Sequence, residues 1–306
     1  MAKGDILWKK QIRKDFKGRS AGWGFSEGPL IDGNKLVFTP GADEAALVAL
    51  NKLTGDVIWK SAIPGCGGAG HASIVITEVG GIRQYITLVG SKKVGMVGVN
   101  AADGKFLWNY KGVMAVEGHG CIPTPIVHGD LVFCSGAYQG GASLVQLVPD
   151  GDGRIKANEV YHLRGNELQV MHGGMVLVDG HIYGGHGHNG GAPFCLDLQT
   201  GKLAWKEKGA GFGSAGVVYA DGNLFFRYED NVLALVEATP KGYHLRSKFQ
   251  IGTGNPTYQQ RNSATNRELP GDLDTGWPHP VVVHGRLYIR AKNRVLCYDI
   301  RQSEAP

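Results

Sequence analysis

The chain has 306 residues, 42% of them hydrophobic, with 48 Gly and a formal charge of +5. That is apolar material for one large all-β domain or two ordinary ones, and this much Gly without a collagen period fits many tight turns. The basic residues are scattered rather than run together and no apolar stretch is long enough to span a bilayer, so neither nucleic acid nor a membrane span is indicated.

In chain order, residues 4–10 (G-D-I-L-W-K-K) read as a strand carrying Trp8. Blade one follows from Gly28, as four apolar runs ending in L-V-A-L-N-K-L-T-G-D-V-I-W-K at 47–60. Blade two runs from Ala72 to Tyr110 and ends in M-V-G-V-N-A-A-D-G-K-F-L-W-N-Y. Blade three runs from Ile122 to Tyr161, with P-D-G-D-G in place of the usual turn. Blade four runs from near His172 to Trp205 and repeats F-C-L-D-L-Q-T-G-K-L-A-W-K. Blade five runs from near Ser214 to Phe249. Blade six starts at His279, continues through R-V-L-C-Y-D-I and stops one strand short, near residue 300.

A phrase returning about every fifty residues is the signature of a repeat architecture. Each copy is strand, polar turn with Gly, strand closing on Trp. Asp-Gly and His-Gly between apolar runs are hairpin signals, since such turns need positive φ. These features predict an all-β fold, a six-bladed β-propeller with four strands (A to D) per blade, as one domain over 1–306. Residues 4–10 should complete the blade of 279–300 and remove its open edge. The recurrent Trp reads as a packing anchor between blades.

The repeat resembles the quinoprotein-type propeller, named for pyrroloquinoline quinone (PQQ). G-W-G-F-S-E-G-P-L (22–30), I-P-T-P-I-V (122–127), Y-G-G-H-G-H-N (183–189) and W-P-H-P-V (277–281) are similar to stretches of bacterial PQQ-binding-like propeller proteins of the planctomycete kind. More distantly, the repeat resembles that of the outer-membrane assembly factor BamB. The resemblance implies an exported protein, periplasmic or secreted, and often eight blades. The chain itself shows no export signal and reads as cytoplasmic if complete. Quinoprotein dehydrogenases pair a carboxylate base with a Ca²⁺-bound quinone, often beside adjacent cysteines. This chain has no Cys-Cys pair and no assignable Asp base, so PQQ is not the expected cofactor.

Topology concentrates chemistry on one face, here called the upper face, which carries the D–A loops, the B–C loops and the starts of the A strands. His71, His172 and His279 begin A strands in alternate blades, and neutral imidazoles converging there predict a divalent-metal site. His186 and His188, in a B–C loop, are candidate acid/base groups, with Glu27 as the carboxylate. His119, Tyr138, Arg261 and Trp277 are candidate ligand-binding residues. Residues 253–277 form the longest D–A connection and suit a lid. Cys66 and Cys121 lie in neighbouring upper-face loops, and the sequence leaves open whether they meet. G-C-G-G-A-G at 65–70 fits a dinucleotide motif in spelling only, because a strand rather than a helix follows.

Three readings remain open: a binding scaffold for a protein, peptide or carbohydrate; a metal-dependent oxidoreductase, lyase or hydrolase; and a PQQ-dependent alcohol or sugar dehydrogenase.

Overall fold

The structure, a computed structural model, describes residues 4–20, 23–118, 121–252, 260–261, 268–269, 277–291 and 294–301. The chain divides into two compact units, Met1–Gln169 and Val170–Pro306. The fold is a β-propeller, with five four-stranded antiparallel sheets and one of three strands among the described residues.

The first unit opens with the short helix α1 (Ile12–Phe16) and holds blades one to three. Blade one is β1 (Leu30–Asp32), β2 (Lys35–Phe38), β3 (Leu47–Asn51) and β4 (Val57–Ser61). Blade two is β5 (Val75–Val79), β6 (Ile82–Leu88), β7 (Met96–Asn100) and β8 (Phe106–Tyr110). Blade three is β9 (Ile126–His128), β10 (Leu131–Gly136), β11 (Gly141–Pro149) and β12 (Ile155–Leu163).

The second unit holds the remaining blades. Blade four is β13 (Val176–Val178), β14 (His181–His186), β15 (Ala192–Asp197) and β16 (Leu203–Lys206). Blade five is β17 (Ala215–Ala220), β18 (Asn223–Tyr228), β19 (Val232–Glu237) and β20 (Leu245–Gln250). The two-residue strands β21 (Gln260–Arg261) and β22 (Glu268–Leu269) pair with each other. Blade six follows as β23 (Val281–Val283), β24 (Arg286–Ala291) and β25 (Arg294–Asp299).

The repeated turn has a local cause. At the end of strand C, the Asn51 carboxamide oxygen accepts the N–H groups of Leu53 and Thr54, and Asp197 does the same for Thr200. These side chains fold the C–D connection from within, as Asx turns do. The turn Gly has a second duty. Gly104 stands at φ +74° beneath the Trp59 ring, which a Cβ would strike; Gly55, at φ +77°, lies beneath Trp8 in the same way.

The Trp of the repeat is an interblade latch. Trp59 donates its indole N–H to Ala101 O at 3.3 Å, just beyond strand C of the next blade, and packs on Tyr85 with centroids 6.0 Å apart. In the second unit, Trp205 donates to Thr239 O at 2.8 Å. Trp108 instead bonds Gln84 Oε1 of its own sheet, at 2.6 Å.

Residues 4–10 differ from expectation. They form no strand, Ile6 and Leu7 stand 82% and 74% exposed, and β23–β25 make a three-stranded sheet. The physical reason is an anchor on blade one: Trp8 donates to Lys52 O at 3.1 Å and its ring covers Gly55. The segment keeps the Trp duty of the repeat without its strand pairing.

Candidate functional site

In the first unit, the loop before β1 carries Ser26 and Glu27. One Glu27 carboxylate oxygen accepts the Thr39 N–H at 2.9 Å, at the end of β2. Burial pushes its pKa up to about 7, against a smaller lowering by the Thr39 hydrogen bonds. His71 precedes β5; its Nδ1 lies 2.9 Å from Ser26 Oγ, and its backbone N–H donates to Cys121 O. Tyr138 sits in the β10–β11 turn at φ 55°.

Cys66 and Cys121 are both free and buried. The Cys66 thiol points to Gly41 O, at 3.2 Å. Burial raises the pKa of both thiols, that of Cys121 to about 11, which leaves them protonated and unreactive near neutral pH.

In the second unit, His172 and His279 precede β13 and β23, as the repeat predicts. The His172 ring stacks on Trp277 with centroids 4.5 Å apart and planes inclined by 23°. Its Nδ1 lies 3.4 Å from Glu229 Oε1, and the Glu229 side chain is only 2% exposed. Glu229 comes from the β18–β19 loop, a B–C loop of the upper face; nothing in its local sequence marks it.

His279 is held by backbone. Gly174 N–H donates to its Nε2 at 3.1 Å, and the ring hydrogen-bonds the His172 backbone as well. A backbone N–H can only donate, so Nε2 must be the acceptor, and its lone pair is engaged. The residue shows surface, yet the protein packed around its ring, with Arg227 nearby, holds its pKa below the usual imidazole range.

His186 ends β14. Burial, helped by Lys206, lowers its pKa to about 4, so it is neutral at physiological pH. His188 is exposed in the following loop. His119 and most of the 253–277 connection lie outside the described residues, and Arg261 is described only as part of β21.

Among the described residues no three His, Cys, Asp or Glu side chains converge to hold an ion. At His279 the Gly174 N–H occupies the acceptor nitrogen. The second unit presents an aromatic platform: Trp277, 42% exposed, is stacked on the His172 imidazole, with the buried Glu229 carboxylate 3.4 Å from its Nδ1.

A buried guanidinium holds the backbone beside the platform. Arg227 has no exposed surface, and its guanidinium donates to Pro278 O, Arg290 O and Asn231 Oδ1 at 2.9, 2.9 and 3.1 Å. Pro278 is the link between Trp277 and His279.

A family model described as outer membrane protein assembly factor BamB matches residues 1–207. The chain belongs to this PQQ-like repeat family. No curated protein matches it. Among solved structures, BamB from Moraxella catarrhalis is similar at 14% identity and a TM-score of 0.56, over 90% of this chain and 70% of that one. The quinohemoprotein alcohol dehydrogenase of Comamonas testosteroni is similar at 11% identity and a TM-score of 0.57, over 92% of this chain. A europium-containing methanol dehydrogenase is similar at 13% identity and a TM-score of 0.57, over 89% of this chain and 62% of that one. At these identities the likeness shows the fold alone. The chain spans 53% of the quinohemoprotein dehydrogenase, about half its length.

Proposed function

We propose that the protein is a non-catalytic binding propeller that docks a partner protein through its upper-face loops, with Trp277 as the anchor in the second unit. The observation that carries this reading is the stack of the exposed Trp277 on His172. A large aromatic side chain held in place and left exposed is the usual centre of a protein interface. The first unit by itself also exposes a large aromatic side chain, Trp23, 73% exposed in the loop before β1. Two histidines favour this reading: the acceptor nitrogen of His279 is taken by the Gly174 N–H, and burial keeps the His186 imidazole neutral near pH 7. The family description, an outer membrane protein assembly factor, supports a protein partner and a place in the cell envelope.

The test is site-specific photo-crosslinking in the producing cell. A benzoylphenylalanine at Trp277 should give one discrete protein adduct, and the same probe at Tyr219, exposed at the other end of blade five, should give none. An adduct pattern equal at both positions, or no adduct at Trp277, would overturn the reading. Near-stoichiometric metal in protein purified without chelator, lost in His172→Ala, would favour the metal-enzyme reading instead.

A further inference from the structure

Blade five breaks the latch. In every four-stranded blade, strands C and D slip by one residue at a bulge, and the D residue paired just before the slip is the latch position. The pairs are Ala49↔Trp59, Gly98↔Trp108, Leu144↔Tyr161 and Cys195↔Trp205. In blade five the pair is Leu235↔Ser247. Four blades place an aromatic ring there, and blade five places a hydroxymethyl group. Phe249, which closes blade five in the sequence, is two residues beyond the latch. Trp59, Trp108 and Trp205 are at most 7% exposed, whereas Ser247 is exposed.

A cavity of about 430 Å³ opens beside Ser247, between blades five and six. Leu235, Phe249, Leu287 and Ile300 give it apolar walls, and Asp221 and Arg301 add charge. Its walls correspond to those that receive Trp59. Leu287 pairs with Tyr298 as Tyr85 pairs with Val99, so Leu287 holds the place of the ring on which Trp59 packs. Ile300 follows strand C of blade six as Ala101 follows strand C of blade two. Its N–H returns to Gly285 O as that of Ala101 returns to Arg83 O.

We propose that this cavity binds a small planar aromatic ligand with a ring N–H, of the indole class, in the place where the other blades put their own ring. The chain supplies the argument for the occupant: at the corresponding place between blades one and two, the Trp59 indole lies on the strand-B residue Tyr85 and donates to Ala101 O just beyond strand C. The volume is that of a small-ligand pocket, and apolar cavities walled by Leu, Ile and Phe accept flat aromatic molecules. The site lies away from the Trp277 platform and does not rest on the partner-docking reading.

Indole itself is the probe. Wild-type protein should bind it saturably by calorimetry, and indole should shift the methyl NMR signals of Leu235, Leu287 and Ile300. Ser247→Trp should fill the cavity, weaken indole binding at least ~10-fold and raise Tm by a few degrees. Ser247→Ala should bind indole as the wild type does. Ser247→Leu, a smaller plug, gives the same reading should the Trp variant not fold. Photo-crosslinking from Trp277 should be unchanged in all three. The absence of saturable indole binding to the wild type would overturn the proposal, as would binding that persists in the plugged variants or leaves those methyls unmoved.

Discussion

Trp59 and Ala101 are joined by an indole N–H that donates to a backbone carbonyl across 3.3 Å, so the last strand of blade one is fastened to the turn of blade two. The ring is 7% exposed and rests on Gly104 and Tyr85. Trp59→Ala removes the ring, the hydrogen bond and the cover over the turn at once. Large aromatic truncations of this kind cost about 3–5 kcal/mol. Trp8→Ala should cost less, because Trp8 retains partial exposure and its segment has no strand pairing. Urea or thermal unfolding should show Trp59→Ala as the more damaging of the two.

The fold was legible because the latch is written in the sequence. A Trp four residues after a turn Gly, repeated, needs a sheet to end on and another to dock against. What the sequence could not show is which latches are kept. Ser247 has no local signal, and only the strand register identifies its position as that of Trp59. Trp8 shows the reverse case: its sequence predicts a strand, and the structure keeps only the indole contact. At the upper face, topology placed His172 and His279 correctly at the starts of A strands. It could not show that Gly174 N–H would take the lone pair of His279, since that contact joins residues far apart in the chain. Glu229 and Arg227 were missed because a single buried charge leaves no periodic trace; the visible clue was only that Glu229 falls in a B–C loop.

Glu27 should make the protein less stable as pH rises. Its pKa is about 7 in the folded state, above the 4.5 of an unperturbed glutamate, so the native state holds the proton more tightly than the unfolded one. The stabilising contribution is complete below 4.5 and is lost as pH rises through 7. Glu27→Gln keeps an acceptor for the Thr39 N–H and removes the buried charge. The variant should be more stable than wild type at pH 8, by about 1–2 kcal/mol after allowance for its partial exposure, and should lose that advantage below pH 4.5. Paired thermal melts across this range would measure it.

His186 should act in the opposite direction. Its pKa of about 4 lies below the ordinary 6.5, so the unfolded state binds the proton first. Its contribution to stability is present above pH 6.5 and is lost as pH falls through 4. The imidazole Cε1 proton should titrate with a midpoint near 4 by NMR. A midpoint near 6.5 would instead leave His186 able to serve as an acid at physiological pH. The neutral ring is the reason the docking reading assigns it no proton-transfer role.

Arg227 links the stability of blades five and six to the platform. Its guanidinium leaves β18 and reaches Pro278 O, Arg290 O and Asn231 Oδ1, with no surface exposed. A planar fork can meet three acceptors in different directions; an ammonium on a flexible stem keeps the charge but not that geometry. Arg227→Ala leaves buried carbonyls without donors and should cost about 3–5 kcal/mol. Arg227→Lys should cost less in stability and still release Pro278. Because Pro278 sits between Trp277 and His279, freeing its carbonyl should loosen the stack of Trp277 on His172. Hydrogen exchange should therefore accelerate at Trp277 and His279 in the Lys variant while the amides of β14 and β15, in blade four, stay protected. Equal acceleration in both places would mean that Arg227 supports the unit as a whole rather than the platform.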